Sequence, residues 1–370
     1  QEIEQTIEDF MPDVVGISLI STKLESGLRI AEICKKKGIK TMGGGPHATV
    51  DPDEVLEKGF DVVVTGEGEH VIHDALYSHG IVPGRVVTDL DELPFPARES
   101  LINLTAYRPK DLGIIQTARG CPNDCKFCCS DVLWGRKVRS RSIENVITEI
   151  KETQTRYGVT DFYIIDDTFT YQKHRVMDFA EAVAPLNITW SCLTRADRMD
   201  DAVVKAMKRS GCSMVKVGLE SGSDHVLRLM NKRIKKDHVI NASRIFHRNG
   251  LPWIAYVMVG IPGETEREVD ETIEFLKRVK PTYISPSVFT PYPGTKFYSE
   301  LGFGRIAYHE YNHHAPNVIG KISDNKIREI AAFADAYNSG DYPSYVMPHV
   351  RLLNANRRPR TSLAGTLAGA

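Results

Sequence analysis

A chain of 370 residues, 42% apolar and 26% charged, has the composition of an ordinary globular protein with room for two or three domains. Its net charge of −1 carries no polyelectrolyte signature, which argues against generic nucleic-acid binding, and no run approaches the about eighteen consecutive apolar residues of a membrane span. Seven cysteines, three of them clustered, behind a start with neither basic nor apolar leader character, fit a cytoplasmic, reducing compartment better than a disulfide scaffold.

The first residues predict an amphipathic helix with Ile3, Ile7 and Phe10 on one face. It leads straight into a buried strand, and with no initiating Met the chain reads as part of something longer. A β-branched run from Val14 to Ile20 is followed by a helix over Leu28 to Lys37, a strand at Lys40-Thr41-Met42, a helix around Asp53 to Lys58, and a strand from Asp61 into Gly66-Glu67-Gly68-Glu69. Strands apolar on both faces and separated by helices imply a parallel sheet covered on both sides, a doubly wound domain that takes ligands at the carboxyl ends of its strands. Gly43, Gly44 and Gly45 stand at such an end, where they let the backbone approach a large ligand closely; tight turns alone are the plainer reading.

Residues 1–80 form this first domain. Pro83, Pro94 and Pro96 mark 81–105 as an ordered linker, with the boundary near 100. Over 106–300 strands at 113–117, 161–166, 188–193, 214–219, 253–259 and 283–290 alternate with helices at 143–157, 174–184, 200–209, 237–249 and 266–279. Six strand-helix units predict a partial barrel with its chemistry at the carboxyl ends of the strands. In the extension 301–370, Tyr308, His309, Tyr311, His313 and His314 read as a solvated loop, 324–338 as a helix, and the tail from Arg357 as disordered.

Just past the first of those strands stands Arg119-Gly120-Cys121-Pro122-Asn123-Asp124-Cys125-Lys126-Phe127-Cys128. Three thiolates in eight residues can bind one soft metal centre, one ligand short of closing a four-iron cluster or a tetrahedral zinc site. A zinc knuckle that recruits Cys129 is the alternative, but adjacent Cys128 and Cys129 are poorly placed to ligate one ion.

The Cys-x3-Cys-x-Phe-Cys pattern resembles the signature of the radical S-adenosylmethionine (SAM) superfamily. The resemblance implies that Cys121, Cys125 and Cys128 hold a four-iron four-sulfur cluster and that SAM chelates the open iron and is cleaved to a 5′-deoxyadenosyl radical. It extends along the barrel. Asp166 and Asp167 stand where relatives receive the SAM amino group; Arg195 suits a carboxylate; Glu220 and Ser221 resemble the ribose motif; Gly260 and Gly263 the adenine segment; Phe127 and Tyr292 complete the pattern. The plainer readings are a helix cap for one aspartate and a surface Arg195–Asp197 pair.

The first domain resembles the carboxyl-terminal half of a cobalamin-binding domain, in which a serine motif is followed by a double glycine. Ser18 stands 26 positions before Gly44. The resemblance implies cobalamin in the full-length parent, with Ser18, Gly43, Gly44 and Gly45 lining its pocket. The whole points to the subgroup of anaerobic Mg-protoporphyrin monomethyl ester cyclases and cobalamin-dependent methyltransferases, which act on a small molecule and draw electrons from a flavodoxin- or ferredoxin-type reductant. A cobalamin-independent radical SAM enzyme and a non-catalytic iron-sulfur protein are the rivals.

Overall fold

The computed structural model describes residues 2–306 and 322–338; the tyrosine–histidine stretch 308–314 and the tail from Arg357 lie outside them. Twelve strands are placed: β1 Val14–Ser18, β2 Lys40–Gly44, β3 Val62–Thr65, β4 Gly80–Pro83, β5 Ile114–Ile115, β6 Ala118–Arg119, β7 Arg139–Ser140, β8 Asp161–Ile164, β9 Thr189–Thr194, β10 Cys212–Glu220, β11 Trp253–Val259 and β12 Tyr283–Val288. They fall in two compact units. Of the described residues, one unit takes 2–95, 118–141 and 291–306, and the other 96–117, 142–290 and 322–338.

In the first unit β1-β2-β3-β4 form a parallel sheet in sequential order. Leu19, Leu24, Ala31, Val55, Phe60 and Val63 pack as one cluster, and Met42, Val62, Val64, Val71 and Ala75 as a second. Val62 and Val63 are neighbours on one strand yet belong to different clusters, as alternation requires of a sheet covered on both faces. The edge strand β4, Gly80–Pro83, runs from the end of the first domain into the proline-bearing stretch read as a linker. Of the first helix's apolar face only Ile7 is buried; Ile3 and Phe10 are exposed.

Helix Gly45–Val50 starts straight from β2. The antiparallel pair β6–β7 brackets the cysteine loop, with Ala118 opposite Ser140 and Arg119 opposite Arg139.

The second unit is an open, all-parallel six-stranded sheet in the order β12-β11-β10-β9-β8-β5. Its helices carry their own start and stop signals. Ser142 caps Ile143–Tyr157 by accepting from the Asn145 amide at 3.1 Å, and Gly158 ends that helix in the left-handed conformation. Thr265 and Glu268 form a reciprocal box at the start of Glu266–Val279. One face of the sheet, through Phe162, Trp190, Val215, Val217, Leu219, Ala255 and Val257, builds the core against these helices. The other face carries Met214, Ile254, Tyr256 and Tyr283. The carboxyl end of the linker is anchored in this unit: buried Arg98 donates to Glu149 at 2.8 Å and to the carbonyls of Leu112 and Ile114.

Candidate functional site

The cysteine loop opens at Gly120, whose φ of +98° and 2.4 Å approach of a hypothetical Cβ to the Lys137 carbonyl oxygen exclude any side chain. Cys125 is buried, Cys121 half-buried and Cys128 exposed. The Cys128 amide donates to the Cys125 carbonyl at 3.1 Å and closes the turn between them. Asn123 Nδ2 donates to Cys121 Sγ at 3.3 Å, and the Ser130 amide to Cys128 Sγ at 3.5 Å. Donors aimed at sulfur are how a protein tunes an iron–sulfur centre.

A cubane takes each thiolate on a different iron, so its ligands stand around the cluster. Among the described residues no three His, Cys, Asp or Glu side chains converge on a single-ion position. The soft three-thiolate donor set and its sulfur-directed donors fit an iron–sulfur cluster.

Both flanks of the loop are held by one carboxylate. Glu67, just past β3, accepts from Arg119 Nη1 at 2.7 Å and from Arg139 at 2.6 and 3.0 Å, and Arg119 also reaches Glu69 at 2.6 Å and lies over the Trp134 ring. Arg139 further donates to the Val87 carbonyl. Burial pushes the Glu67 carboxyl up, but the two guanidinium groups outweigh it and hold it below the usual range. The segment with Tyr292 also belongs to this unit: the Phe297 amide donates to the Lys126 carbonyl at 2.9 Å, Lys126 pairs with Glu300, and Gly294 has no room for a Cβ beside Val50. Tyr292 is half-buried, and its carbonyl accepts from Thr295; Phe127 is half-buried on the cysteine loop.

At the sheet end Ser18 is the in-register partner of Gly44. The three glycines differ. A Cβ on Gly43 would crowd Val55 and Phe60, and one on Gly45, at φ +88°, would press on Ser18 Oγ and Leu19; beside Gly44 the nearest atom is 3.9 Å away. Gly43 and Gly45 are explained by packing and turn, and Gly44 presents open backbone.

In the second unit Asp166 and Asp167 part company. Asp166 is buried and accepts from the Thr117 amide at 2.6 Å and hydroxyl at 2.5 Å, which ties the chain after β8 to the chain after β5; Asp167 is exposed. Arg195 is buried rather than at the surface: it pairs with Asp197 at 3.0 Å and donates to the Lys232 carbonyl at 2.9 Å.

Glu220 has a left-handed backbone, φ +62°, and a buried ion pair with Lys232 at 2.6 Å. Ser221 does not point beside it. Its hydroxyl is buried against Thr272 at 3.2 Å and accepts from the Ser223 amide at 3.1 Å, inside the packing of helix Glu266–Val279. Of the two residues of the ribose-like motif, only Glu220 keeps a side chain clear of that helix packing. Gly260 and Gly263 have φ of +84° and +90°, and the turn they form is held by Glu264, whose Oε2 accepts the amides of Gly260 and Ile261 at 2.7 and 3.1 Å. Burial pushes the Glu264 carboxyl up to about 7 against those two hydrogen bonds.

Lys232, Thr117 and the role of Glu67 are invisible to motif reading, because each acts through a partner distant in the chain. Only a lysine between the apolar Met230 and Ile234 hinted at one of them.

Residues 115–276 match the family model described as Radical SAM superfamily, and residues 1–76 that of the B12 binding domain. An uncharacterized methyltransferase of Pyrococcus horikoshii is 32% identical over 326 residues, 80% of this chain and 71% of that protein. The anaerobic magnesium-protoporphyrin IX monomethyl ester cyclase of Rubrivivax gelatinosus is 25% identical across 81% of this chain, which spans 60% of the cyclase. The solved radical S-adenosylmethionine methyltransferase of Kitasatospora setae, with cobalamin and an iron–sulfur cluster bound, shares the fold at TM-score 0.70 and 17% identity, over 82% of this chain and 71% of that one. The fold and the cysteine loop thus define an iron–sulfur enzyme of the radical SAM class. The chain belongs to the radical SAM superfamily, in the group that carries a B12-binding domain, whose cofactors are a four-iron four-sulfur cluster, SAM and cobalamin.

Proposed function

We propose that this chain methylates, cyclises or oxidises an unactivated carbon of a small molecule, using electrons from an external flavodoxin- or ferredoxin-type reductant. The observation that carries the reading is the Glu67 clamp: the cysteine loop and the glycine-bearing sheet end are parts of one compact unit, joined by Arg119 and Arg139. When bound, the cofactors supply the electron relay, the radical and the methyl- or oxygen-bearing centre.

The residues then divide the work. Cys121, Cys125 and Cys128 hold the cluster, and Asn123 and the Ser130 amide tune its sulfurs. Exposed Asp167 accepts from the SAM ammonium, while Asp166 fixes the strand ends around it. Glu220, steadied by Lys232, accepts from the ribose, and the Gly260–Gly263 turn, kept by Glu264, brings backbone to the adenine. Ser18 and Gly44 present the open sheet edge to cobalamin. The domain division at 80, 105 and 300, and a cytoplasmic location, belong to the same proposal; no helix among the described residues is long and apolar enough to cross a membrane. Two relatives named as a methyltransferase and an anaerobic cyclase support the reaction class.

The test is anaerobic reconstitution followed by three measurements: iron and sulfide per chain, 5′-deoxyadenosine released from SAM under a low-potential reductant, and corrinoid absorbance retained through gel filtration by the full-length protein. All three are expected. SAM cleavage with no retained corrinoid turns the reading into a cobalamin-independent rearrangement or cyclisation, and a cluster with no SAM cleavage turns it into electron transfer or sensing.

A further inference from the structure

The first unit holds a relay of three hydrogen-bonded side chains that no motif assigns. Ser21, three residues past the end of β1, has its Oγ 2.9 Å from His47 Nδ1, and His47 Nε2 lies 3.1 Å from Glu54 Oε2. His47 stands on helix Gly45–Val50 and Glu54 on helix Pro52–Glu57, and both side chains are buried, whereas Ser21 is half-buried. One end of the relay is sealed inside the domain, and the other comes up at the carboxyl end of the sheet.

A tie between loop and helix does not require it. The Leu19 amide donates to the Gly44 carbonyl at 2.7 Å and the His47 amide to the Leu19 carbonyl at 2.9 Å, so backbone alone fastens the chain after β1 to the start of the helix. Two ionisable side chains taken out of water are costly where apolar ones of similar size would pack. The relay instead fixes a direction. A carboxylate only accepts, so Nε2 carries the hydrogen; in the neutral ring Nδ1 is then the acceptor and takes the hydroxyl hydrogen of Ser21. Among the described residues Ser21 Oγ has no partner besides His47, and its lone pairs are left for a donor from outside.

The place is one where a ligand is expected. Ser21 follows Ser18, the in-register partner of Gly44, and His47 follows Gly45, where a Cβ would press on Ser18 Oγ and Leu19. Doubly wound sheets take ligands at these strand ends, and the cofactor of this domain is cobalamin. Its donors are the amides around the corrin rim and the ribose hydroxyls of its nucleotide arm. A half-buried hydroxyl beside glycine backbone suits the slim arm better than the broad macrocycle.

We propose that Ser21, aimed by His47 and Glu54, accepts a hydrogen bond from a ribose hydroxyl of cobalamin's nucleotide arm and makes the domain selective for complete, base-bearing corrinoids. Ser21 touches the ligand; His47 and Glu54 are positioning residues. This deepens the function proposed above and rests on its cobalamin part.

Anaerobic equilibrium dialysis of the full-length protein against hydroxocobalamin and against diaquocobinamide, which keeps the corrin but lacks phosphate, ribose and base, tests it by corrin absorbance. Wild type is expected to prefer hydroxocobalamin. Ser21→Ala is expected to weaken hydroxocobalamin about tenfold with cobinamide unchanged, Ser21→Thr to keep wild-type affinity, and His47→Leu to match Ser21→Ala with no further loss in the double variant. Cobinamide binding is also the check on folding: if His47→Leu loses both corrinoids, the two Ser21 variants decide. Equal loss of both corrinoids in Ser21→Ala, as a corrin amide or a purely structural hydroxyl would give, overturns the proposal, and so does no loss of either. Losses in Ser21→Ala and His47→Leu that add in the double variant overturn the relay. Wild type that retains neither corrinoid defeats the cobalamin reading itself, whereas retention indifferent to Ser21 defeats this inference alone.

Discussion

Glu67 and Arg139 meet through two parallel hydrogen bonds, 2.6 and 3.0 Å long, and Arg139 is the cross-strand neighbour of Arg119, which donates to the same carboxylate. One acid at the end of β3 thereby sets the spacing of both arms that bracket the cysteine loop. Replacing it by Gln leaves the buried Arg139 guanidinium facing a neutral amide, while Arg119 keeps Glu69. Glu67→Gln is expected to lower stability by about 3 kcal/mol or more and to impair cluster loading, measured by chemical denaturation and iron content. Because the arginines hold the folded carboxyl below its unfolded value, this contribution is present above about pH 4.5 and is lost as pH falls through the folded pKa.

The triplet should behave as a set. Cys121→Ala, Cys125→Ala and Cys128→Ala are each expected to abolish the cluster, and Cys129→Ala to keep about four irons per chain. Iron and sulfide assays decide it; a Cys129 as necessary as the other three would mean a closed centre with no open iron.

Glu220→Ala is expected to weaken SAM binding by about 1 to 3 kcal/mol with the cluster intact, through loss of a hydrogen bond to the ribose. Lys232→Met should weaken it as well, and the double variant should cost less than the sum, since the two residues form one ion pair. Additive losses in a calorimetric cycle would show that Lys232 acts elsewhere.

Glu264 makes stability fall with rising pH. Its folded carboxyl titrates at about 7 and an unfolded glutamate at about 4.3, so the folded chain binds that proton more tightly. Its contribution is full below the unfolded value and is lost as pH rises from about 4.3 through about 7, on the order of 3 to 4 kcal/mol. Glu264→Gln keeps an amide oxygen for the Gly260 and Ile261 amides and should flatten this slope in urea unfolding at several pH values. A slope unchanged by the substitution would assign it to another group.

What the sequence reveals and what it hides follow from the range of the interaction. Ser18 and Gly44, 26 positions apart, are in register because one helix and one strand of ordinary length intervene, so spacing alone carries the contact. The helices at 143–157 and 266–279 are legible from their caps and periodicity, and that at 324–338 from periodicity alone. The amphipathic pattern of the first helix is equally clear, yet Ile3 and Phe10 are exposed, since periodicity gives a face and not what covers it. Asp166 and Asp167 read alike as neighbours; only the strand end beside them separates the buried Asp166, clamped to Thr117, from the exposed Asp167. Glu67 with Arg139, and Glu220 with Lys232, depend on where the chain returns, and no local pattern announces that.

The division of the chain into interleaved segments bears on how such proteins can be recombined. The chain passes between the two units at four places among residues 2–306, so a cut near residue 95 does not free one folding body from the other. A chimaera that grafts residues 2–95 from a relative replaces Glu67 with that relative's residue opposite the host's Arg119 and Arg139, and must carry 118–141 and 291–306 along to keep the match. Exchange between these proteins is thus governed by neighbourhood in space, and a crossover map drawn from sequence order alone would place its junctions through the middle of the cluster's support.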